Sequence, residues 1–227
     1  MRTFAIGDIH GEYEKLINIL SIVNFDYNED KLISIGDVVD RGPKSFECVE
    51  ELLKINHLIA IRGNHDKTWY DSTITGKNEL YSQGGRETLL SYTRNGCEND
   101  PTKIPQTHKD FFKNQLNYYI DVNNNLFIHG GFNRHQLLEE QEEYIFYWDR
   151  DLFMSALSNH SMINNQHQFR MKTSFNKIFV GHTPTIYWGF NEPIKALNIW
   201  NIDTGCGKGD NFLTIMNVDT EEYFQSK

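Results

Sequence analysis

Three stretches decide the fold: Thr3-Phe4-Ala5-Ile6 running into Gly7-Asp8-Ile9-His10-Gly11, Leu32-Ile33-Ser34-Ile35 running into Gly36-Asp37-Val38-Val39-Asp40-Arg41-Gly42, and Leu58-Ile59-Ala60-Ile61 running into Arg62-Gly63-Asn64-His65-Asp66. Each begins as a short apolar run, the pattern of a buried strand, and ends in a polar cluster rather than an ordinary turn. Between the first two, Tyr13, Leu16, Ile17, Leu20 and Val23 recur at three- and four-residue spacing, which predicts a helix. Residues 46–53, with Pro43 at the first turn, predict a second. This β-α-β-α-β order predicts a mostly parallel sheet with helices packed on it. The carboxyl ends of parallel strands in an open α/β sheet face one crevice, so the three clusters should converge. Asp8 and His10, two apart in extended chain, would then point to the same side, and the flanking glycines would let the backbone turn sharply beside whatever sits there.

Working outward, residues 87–92 read as helix, 95–109 as a loop with two prolines, and 118–122 with 126–128 as a hairpin around Asn123-Asn124-Asn125. Residues 158–172 are polar and poorly periodic, which predicts a long loop. Strand-like runs return at 178–180, 197–202, 212–218 and 223–225, with little helix between them. A parallel first half followed by a strand-rich second half predicts an α/β (α+β) fold, a two-sheet sandwich flanked by helices. With 227 residues, no internal repeat and no low-complexity linker, one domain spanning 1–227 is expected.

Lys and Arg number 22 against 31 Asp and Glu, a formal net charge of -9. That balance weighs against electrostatically driven nucleic-acid binding, and at first sight against a phosphorylated substrate as well. No run approaches the roughly 20 apolar residues that span a bilayer, and the N-terminus lacks the pattern of a signal peptide. Cys48, Cys97 and Cys206 are odd in number and form no Cys-x-x-Cys pair, which predicts reduced thiols. The expectation is a cytoplasmic monomer with no membrane or nucleic-acid partner.

Two later histidines stand in the same setting as the early clusters: His129 in Ile128-His129-Gly130-Gly131, and His182 in Val180-Gly181-His182-Thr183-Pro184. Asp8, His10, Asp37, Asn64, His129 and His182 together mix carboxylate, imidazole and amide oxygen. Such a set suits Mn, Fe, Zn or a pair of them, and is too rich in imidazole for Mg or Ca alone. One carboxylate can bridge two ions about 3.5 to 4 Å apart, as in phosphoryl hydrolysis, and Asp37 is the best-placed bridge.

The ordered set Gly-Asp-x-His-Gly, Gly-Asp-x-x-Asp-Arg-Gly, Gly-Asn-His-Asp, His-Gly-Gly and Gly-His-Thr-Pro resembles the signature of the calcineurin-like metallophosphoesterases, and more narrowly the phosphoprotein phosphatase branch in its compact bacterial and phage form. It runs from Asp8 to about Asp203. The resemblance implies two divalent ions, Mn first, with Fe, Zn or Ni as alternatives. Asp8, His10 and Asp37 would hold one, and Asp37, Asn64, His129 and His182 the other. A metal-bridging hydroxide would attack phosphorus, and His65, oriented by Asp40, would protonate the leaving oxygen. Arg41, Arg62 and Arg150 resemble the arginines that clamp phosphate oxygens, in keeping with the bidentate match of guanidinium to phosphate. Asp66 stands where the eukaryotic members have Glu, and their C-terminal substrate-site tyrosine has no clear counterpart.

The same residues have plainer readings. His65 could serve a hydrogen bond alone, and Arg41 an ion pair with Asp37 or Asp40. His57, His108, His135, His160 and His167 read as surface or edge residues, and the aromatic run 144–148 as core. Gly205-Cys206-Gly207-Lys208-Gly209 lacks the Ser or Thr of a nucleotide-binding loop and reads as a turn, while Gly84-Gly85 reads as a helix start or a pocket lining. The leading functional expectation is a serine/threonine protein phosphatase-like phosphomonoesterase acting on a phosphorylated protein or small phosphoester. A symmetrical dinucleoside polyphosphate hydrolase is the alternative, and a catalytically silent scaffold is disfavoured because no ligand is missing.

Overall fold

The computed structural model describes residues 1–75, 84–98, 100–162 and 173–227. Two five-stranded sheets face each other. In the first, β1 (Thr3–Ile6), β2 (Lys31–Ser34) and β3 (His57–Ala60) run parallel, joined by α1 (Tyr13–Ile22) and α2 (Ser45–Leu52). The C-terminal strands β9 (Leu213–Asn217) and β10 (Tyr223–Ser226) add antiparallel beside β1, so the order is β10-β9-β1-β2-β3. The expected parallel core is present, completed by the other end of the chain. Helix α2 begins at Ser45 with Lys44 as its cap, so Pro43 precedes the helix instead of opening its first turn.

The second sheet has the order β4-β5-β6-β8-β7, from β4 (Tyr118–Ile120), β5 (Leu126–Ile128), β6 (Ile178–Val180), β7 (Ile194–Ala196) and β8 (Ile199–Asn201). Its centre, β5, β6 and β8, is parallel too. Residues 197–202, expected as one strand, hold only the shorter β8: Leu197 adopts φ 57° in the turn that sets β8 antiparallel to β7, a strand not expected. The inner faces meet where Ala5, Ile33, Ile35, Ile61 and Met216 of the first sheet's side pack against Phe127, Phe179 and Ile202 of the second's, all buried. Phe127 and Phe179 stack with ring centres 4.8 Å apart. Burial of such side chains stabilises by about 1.5 to 3 kcal/mol each.

Helices α3 (Asn64–Thr75), α4 (Gly85–Tyr92) and α5 (Gln106–Asn114) cover the first sheet's side, and α6 (Glu143–Trp148) and α7 (Asp151–Met162) the second's. Two loop expectations are corrected here. Helix α5 occupies part of 95–109, and α7 runs on to Met162, because Leu152, Phe153 and Ala156 form a buried stripe at helical spacing. The rest of the expected 158–172 loop lies outside the described residues, as does His167.

His108 is also corrected, from surface to core. Its ring is fully buried, with Nε2 2.7 Å from Glu50 and Nδ1 2.8 Å from the Tyr92 hydroxyl. His57, His135 and His160 are exposed as expected. All three cysteines are free and buried. Among the described residues, no helix is long and apolar enough to cross a membrane.

Candidate active site

Every polar cluster sits just past the carboxyl end of its strand: Asp8 and His10 after β1, Asp37, Asp40 and Arg41 after β2, Asn64 and His65 after β3, His129 after β5, and His182 after β6. The chain bends hard to bring them inward. Among the described residues other than glycine, ten have positive φ, and five of them are His10, Asp37, Asp40, Arg41 and His182. Such backbone costs about 1 to 3 kcal/mol per residue and persists only where its surroundings impose it. Asp8 and His10 do come together, through a left-handed turn at His10 (φ 48°) and not along extended chain.

Hydrogen bonds between loops impose that backbone. The amides of Ile9 and His10 donate to the Asp37 carbonyl at 3.0 and 2.9 Å, and Gly42 donates to the His10 carbonyl at 2.8 Å. Asp66 ties the third cluster to the second, accepting from Val38 N–H at 2.9 Å, Gly63 N–H at 3.2 Å and Gln115 Nε2 at 2.9 Å. Gly63 and Gly181 are needed for clearance, since a Cβ at either would collide with a carboxylate oxygen, of Asp37 and Asp8 respectively.

Asp37 is the centre of the cluster. Its Oδ2 lies 3.6 Å from His10 Nε2, 3.4 Å from His129 Nε2 and 3.9 Å from His65 Nε2. Asn64 Oδ1 lies 3.1 Å from His129 Nε2 and 2.9 Å from His182 Nδ1. Two sets of ligand atoms form, His10–Asp37–His65 and Asp37–His129–His182, sharing Asp37.

The donors fit metal ions. His10 and His129 each turn Nδ1 to a carbonyl, of Val39 and of Ile35, both at 2.8 Å, which orients Nε2 toward Asp37 as carbonyl-anchored metal histidines require. His182 Nε2 and Asp203 Oδ2 are buried without a hydrogen-bond partner. Burial, then His129 and Arg150, lowers His182 to about 2, so its ring is neutral. Burial lowers His10 well below the usual imidazole range, with Arg41 adding to it. Burial also pushes Asp8 well above the carboxylate range, with Asp203 adding to it. Burial would lower His129 as well, yet the facing Asp37 carboxylate lifts it to about 10. Crowded carboxylates that hold a proton this firmly are a cradle for cations, which compete with protons for the same lone pairs.

Around the candidate ligands stand His65 and the arginines. His65 Nδ1 lies 2.7 Å from Asp40 Oδ2, leaving Nε2 toward the cluster. The Arg41 guanidinium reaches Nε2 of both His10 and His65, the latter at 3.1 Å, and no ion pair with Asp37 or Asp40 forms. Arg150 donates to Thr183 Oγ1 at 2.8 Å, beside His182. Arg62 is held differently: its Nη2 donates to the Phe112 and Lys113 carbonyls at 2.7 and 3.0 Å, while its Nε is buried without a partner.

Three contributors escaped the sequence reading. Thr88 in α4 accepts from Asp40 N–H and donates to Asp40 Oδ1, both at 2.8 Å. It follows the Gly84-Gly85 pair read as a helix start or a pocket lining, but that reading gives Thr88 itself no role. Gln115 supports Asp66 with equally little signal. Asp203, buried beside Asp8, did carry one, because Ile202-Asp203-Thr204-Gly205 has the same strand-then-glycine pattern as the recognised clusters. Gly84 caps α4 at φ 101°, and its carbonyl accepts from Arg41 N–H at 3.3 Å, so the glycine pair is a helix start that also braces the site. The aromatic run splits: Phe146 and Tyr147 are buried, whereas Tyr144 and Trp148 are 63% and 42% exposed.

This geometry agrees with comparison to known proteins. The family model for calcineurin-like phosphoesterases matches residues 1–213, and the chain belongs to that family. It is 37% identical over 90 residues to serine/threonine-protein phosphatase 1 of Salmonella typhimurium, a match covering 40% of this chain and 41% of that protein. It is 26% identical to the symmetrical bis(5'-nucleosyl)-tetraphosphatase of Pseudomonas syringae, covering 99% of this chain and 91% of that protein. A solved chain provisionally named as a diadenosine tetraphosphatase superposes with a TM-score of 0.69 at 17% identity, covering 99% of this chain and 92% of that one. A cold-active protein-tyrosine phosphatase from Shewanella gives 0.61 at 16%, covering 100% and 80%. At such identities the structural matches bear on the fold alone.

Proposed function

We propose that the protein is a metal-dependent phosphoester hydrolase that removes phosphate from phosphoserine and phosphothreonine in proteins. The observation that carries this reading is the Asp37-centred pair of ligand sets with His65, backed by Asp40, at its edge. The core shared by the two sheets supports a single domain spanning 1–227.

Asp8, His10 and Asp37 would hold one divalent ion, and Asp37, Asn64, His129 and His182 a second, with Mn preferred over Fe, Zn or Ni. Bound there, such ions offset phosphoryl charge and lower the pKa of water to about 7. The protein's own groups do the rest. Arg41 and Arg150 bind phosphate oxygens, and the partnerless Arg62 Nε is the donor left for a third. Asp40 accepts the Nδ1 hydrogen of His65 and turns Nε2 toward the substrate, so that the doubly protonated ring gives its Nε2 proton to the departing serine oxygen. The net charge of -9 is no obstacle, because a substrate meets the local field of ions and arginines before that of the whole surface.

The symmetrical tetraphosphatase reading uses the same ligands and remains the alternative. An assay of Mn-loaded protein on phosphoserine and phosphotyrosine peptides and on diadenosine tetraphosphate decides between them by kcat/KM. The phosphoserine peptide is expected to be the best substrate; a marked preference for the tetraphosphate overturns the proposal.

A further inference from the structure

A trough runs away from the metal cluster along the second sheet's helices. Its near part, roughly 550 Å³, is lined by Tyr144, Trp148, Asp151 and Arg134, and its far part, roughly 570 Å³, by Leu137, Ile120 and Glu139. The two parts share Phe132 and Arg134 in their walls, so they are neighbours. Trp148 connects the trough to the chemistry, as its indole meets the His182 ring edge-on with centres 5.8 Å apart.

Two features of the lining are unusual for a surface facing only water. Tyr144, Trp148, Leu137 and Ile120 are all exposed, and Tyr144 and Trp148, four apart on α6, present adjacent rings. Beside them the chain reads Glu139-Glu140-Gln141-Glu142-Glu143, its four glutamates all exposed. Arg134 is the trough's one Lys or Arg among the described residues, and Asp149 and Asp151 share its lining.

From this adjacency of the two hollows, and of Trp148 to His182, and resting on the phosphoprotein reading, we propose that the trough is a docking groove for the substrate polypeptide. It takes large apolar or aromatic side chains near the phosphorylated residue, with Lys or Arg alongside against the glutamate run. The extent of the groove favours a peptide over a nucleoside, since together its two parts exceed what a base and ribose fill. Its charge favours a basic peptide over a polyphosphate, which the four glutamates would repel. The metal cluster then supplies affinity for phosphate, and the groove supplies the choice among phosphoproteins.

The test uses the Mn-loaded full chain and phosphoserine peptides of equal length, flanked by Arg with Leu or Trp, by Glu, or by Ala alone, with p-nitrophenyl phosphate as a reference. The basic-apolar peptide is expected to exceed the acidic one at least tenfold in kcat/KM, with the gap narrowing at high salt. In Tyr144→Ala, and in Glu139→Lys with Glu142→Lys, that preference should fall about tenfold relative to p-nitrophenyl phosphate measured with the same variant. Circular dichroism checks that the variants fold. Equal turnover of all the phosphopeptides, or a preference that survives both variants, overturns the groove while leaving the phosphatase reading intact. Turnover of p-nitrophenyl phosphate with no phosphopeptide cleaved overturns the phosphoprotein reading itself, and tetraphosphate turnover lowered by Tyr144→Ala makes the groove a nucleoside subsite.

Discussion

His65 Nδ1 stands 2.7 Å from Asp40 Oδ2, and the other oxygen of that carboxylate accepts from Thr88 Oγ1 at 2.8 Å. The contact fixes which imidazole nitrogen faces the candidate ligand cluster: a carboxylate can only accept and so claims the Nδ1 hydrogen, which leaves Nε2 as the nitrogen that exchanges a proton there. The proposed acid is thereby held by three elements, the β2 loop, α3 and α4.

Replacing His65 by Asn removes the proton donor but none of the six proposed ligands. Metal content measured by elemental analysis should match wild type, while kcat on phosphoserine peptide falls by about 10² to 10⁴. The loss should shrink on p-nitrophenyl phosphate, whose leaving group needs no proton. Unchanged phosphoserine turnover would remove His65 from the acid role.

Thr88→Val keeps the shape and deletes the hydroxyl, leaving Asp40 N–H and Oδ1 without their partner. Stability should drop by about 1 to 3 kcal/mol in urea titration, the cost of an unsatisfied buried group. As a positioning effect it should lower kcat more than it raises KM, and Thr88→Ser should restore both. Failure of serine to rescue would show that Thr88 acts through packing alone.

Gly63→Ala places a methyl group against Asp37 Oδ1, the oxygen that accepts from His65 N–H at 3.0 Å. Because Asp37 serves both ligand sets, the variant is expected to lose most of its bound metal while keeping the wild-type far-ultraviolet circular dichroism. Full metal occupancy in the folded variant contradicts Asp37 as the shared ligand.

His108 gives a pH signature away from the metal cluster. Burial lowers its pKa below the usual value of about 6.5, although Glu50 pulls the other way. Above pH 6.5 the ring is neutral in folded and unfolded chains, and its contribution is fully present. As pH falls below that, the unfolded chain takes up a proton that the folded ring resists, so stability is lost toward the lower folded pKa. In His108→Gln the fall in Tm between pH 7 and 5 should be shallower than in wild type. Parallel profiles for the two proteins would refute it.

Much of the site was legible because its ligands follow strands immediately. Asp8, Asp37, Asn64, His129 and His182 each stand within four residues of a strand end, and parallel strands deliver such ends to one edge. Thr88 and Gln115 were not legible, since each acts across more than 45 residues of sequence and only on another residue's carboxylate. His108 misled for a related reason: a polar ring reads as surface unless its buried partners are known, and Tyr92 and Glu50 come from separate helices. The 197–202 run misled because its first residue, Leu197, is left-handed and belongs to the turn before β8, and apolar pattern carries no sign of φ.

The sequence by itself determined the strands, their parallel order, the ligand types and the family they define, because those depend on local periodicity and on residues at fixed spacing. The tertiary structure alone decided how the candidate ligands gather around Asp37, that Arg62 is anchored on α5 while Arg41 faces the histidines, and that Tyr144 and Trp148 line one hollow and Leu137 and Glu139 its neighbour. These are matters of direction in space. They follow from left-handed turns and hydrogen bonds between distant loops, whose energies are settled only when the two sheets pack.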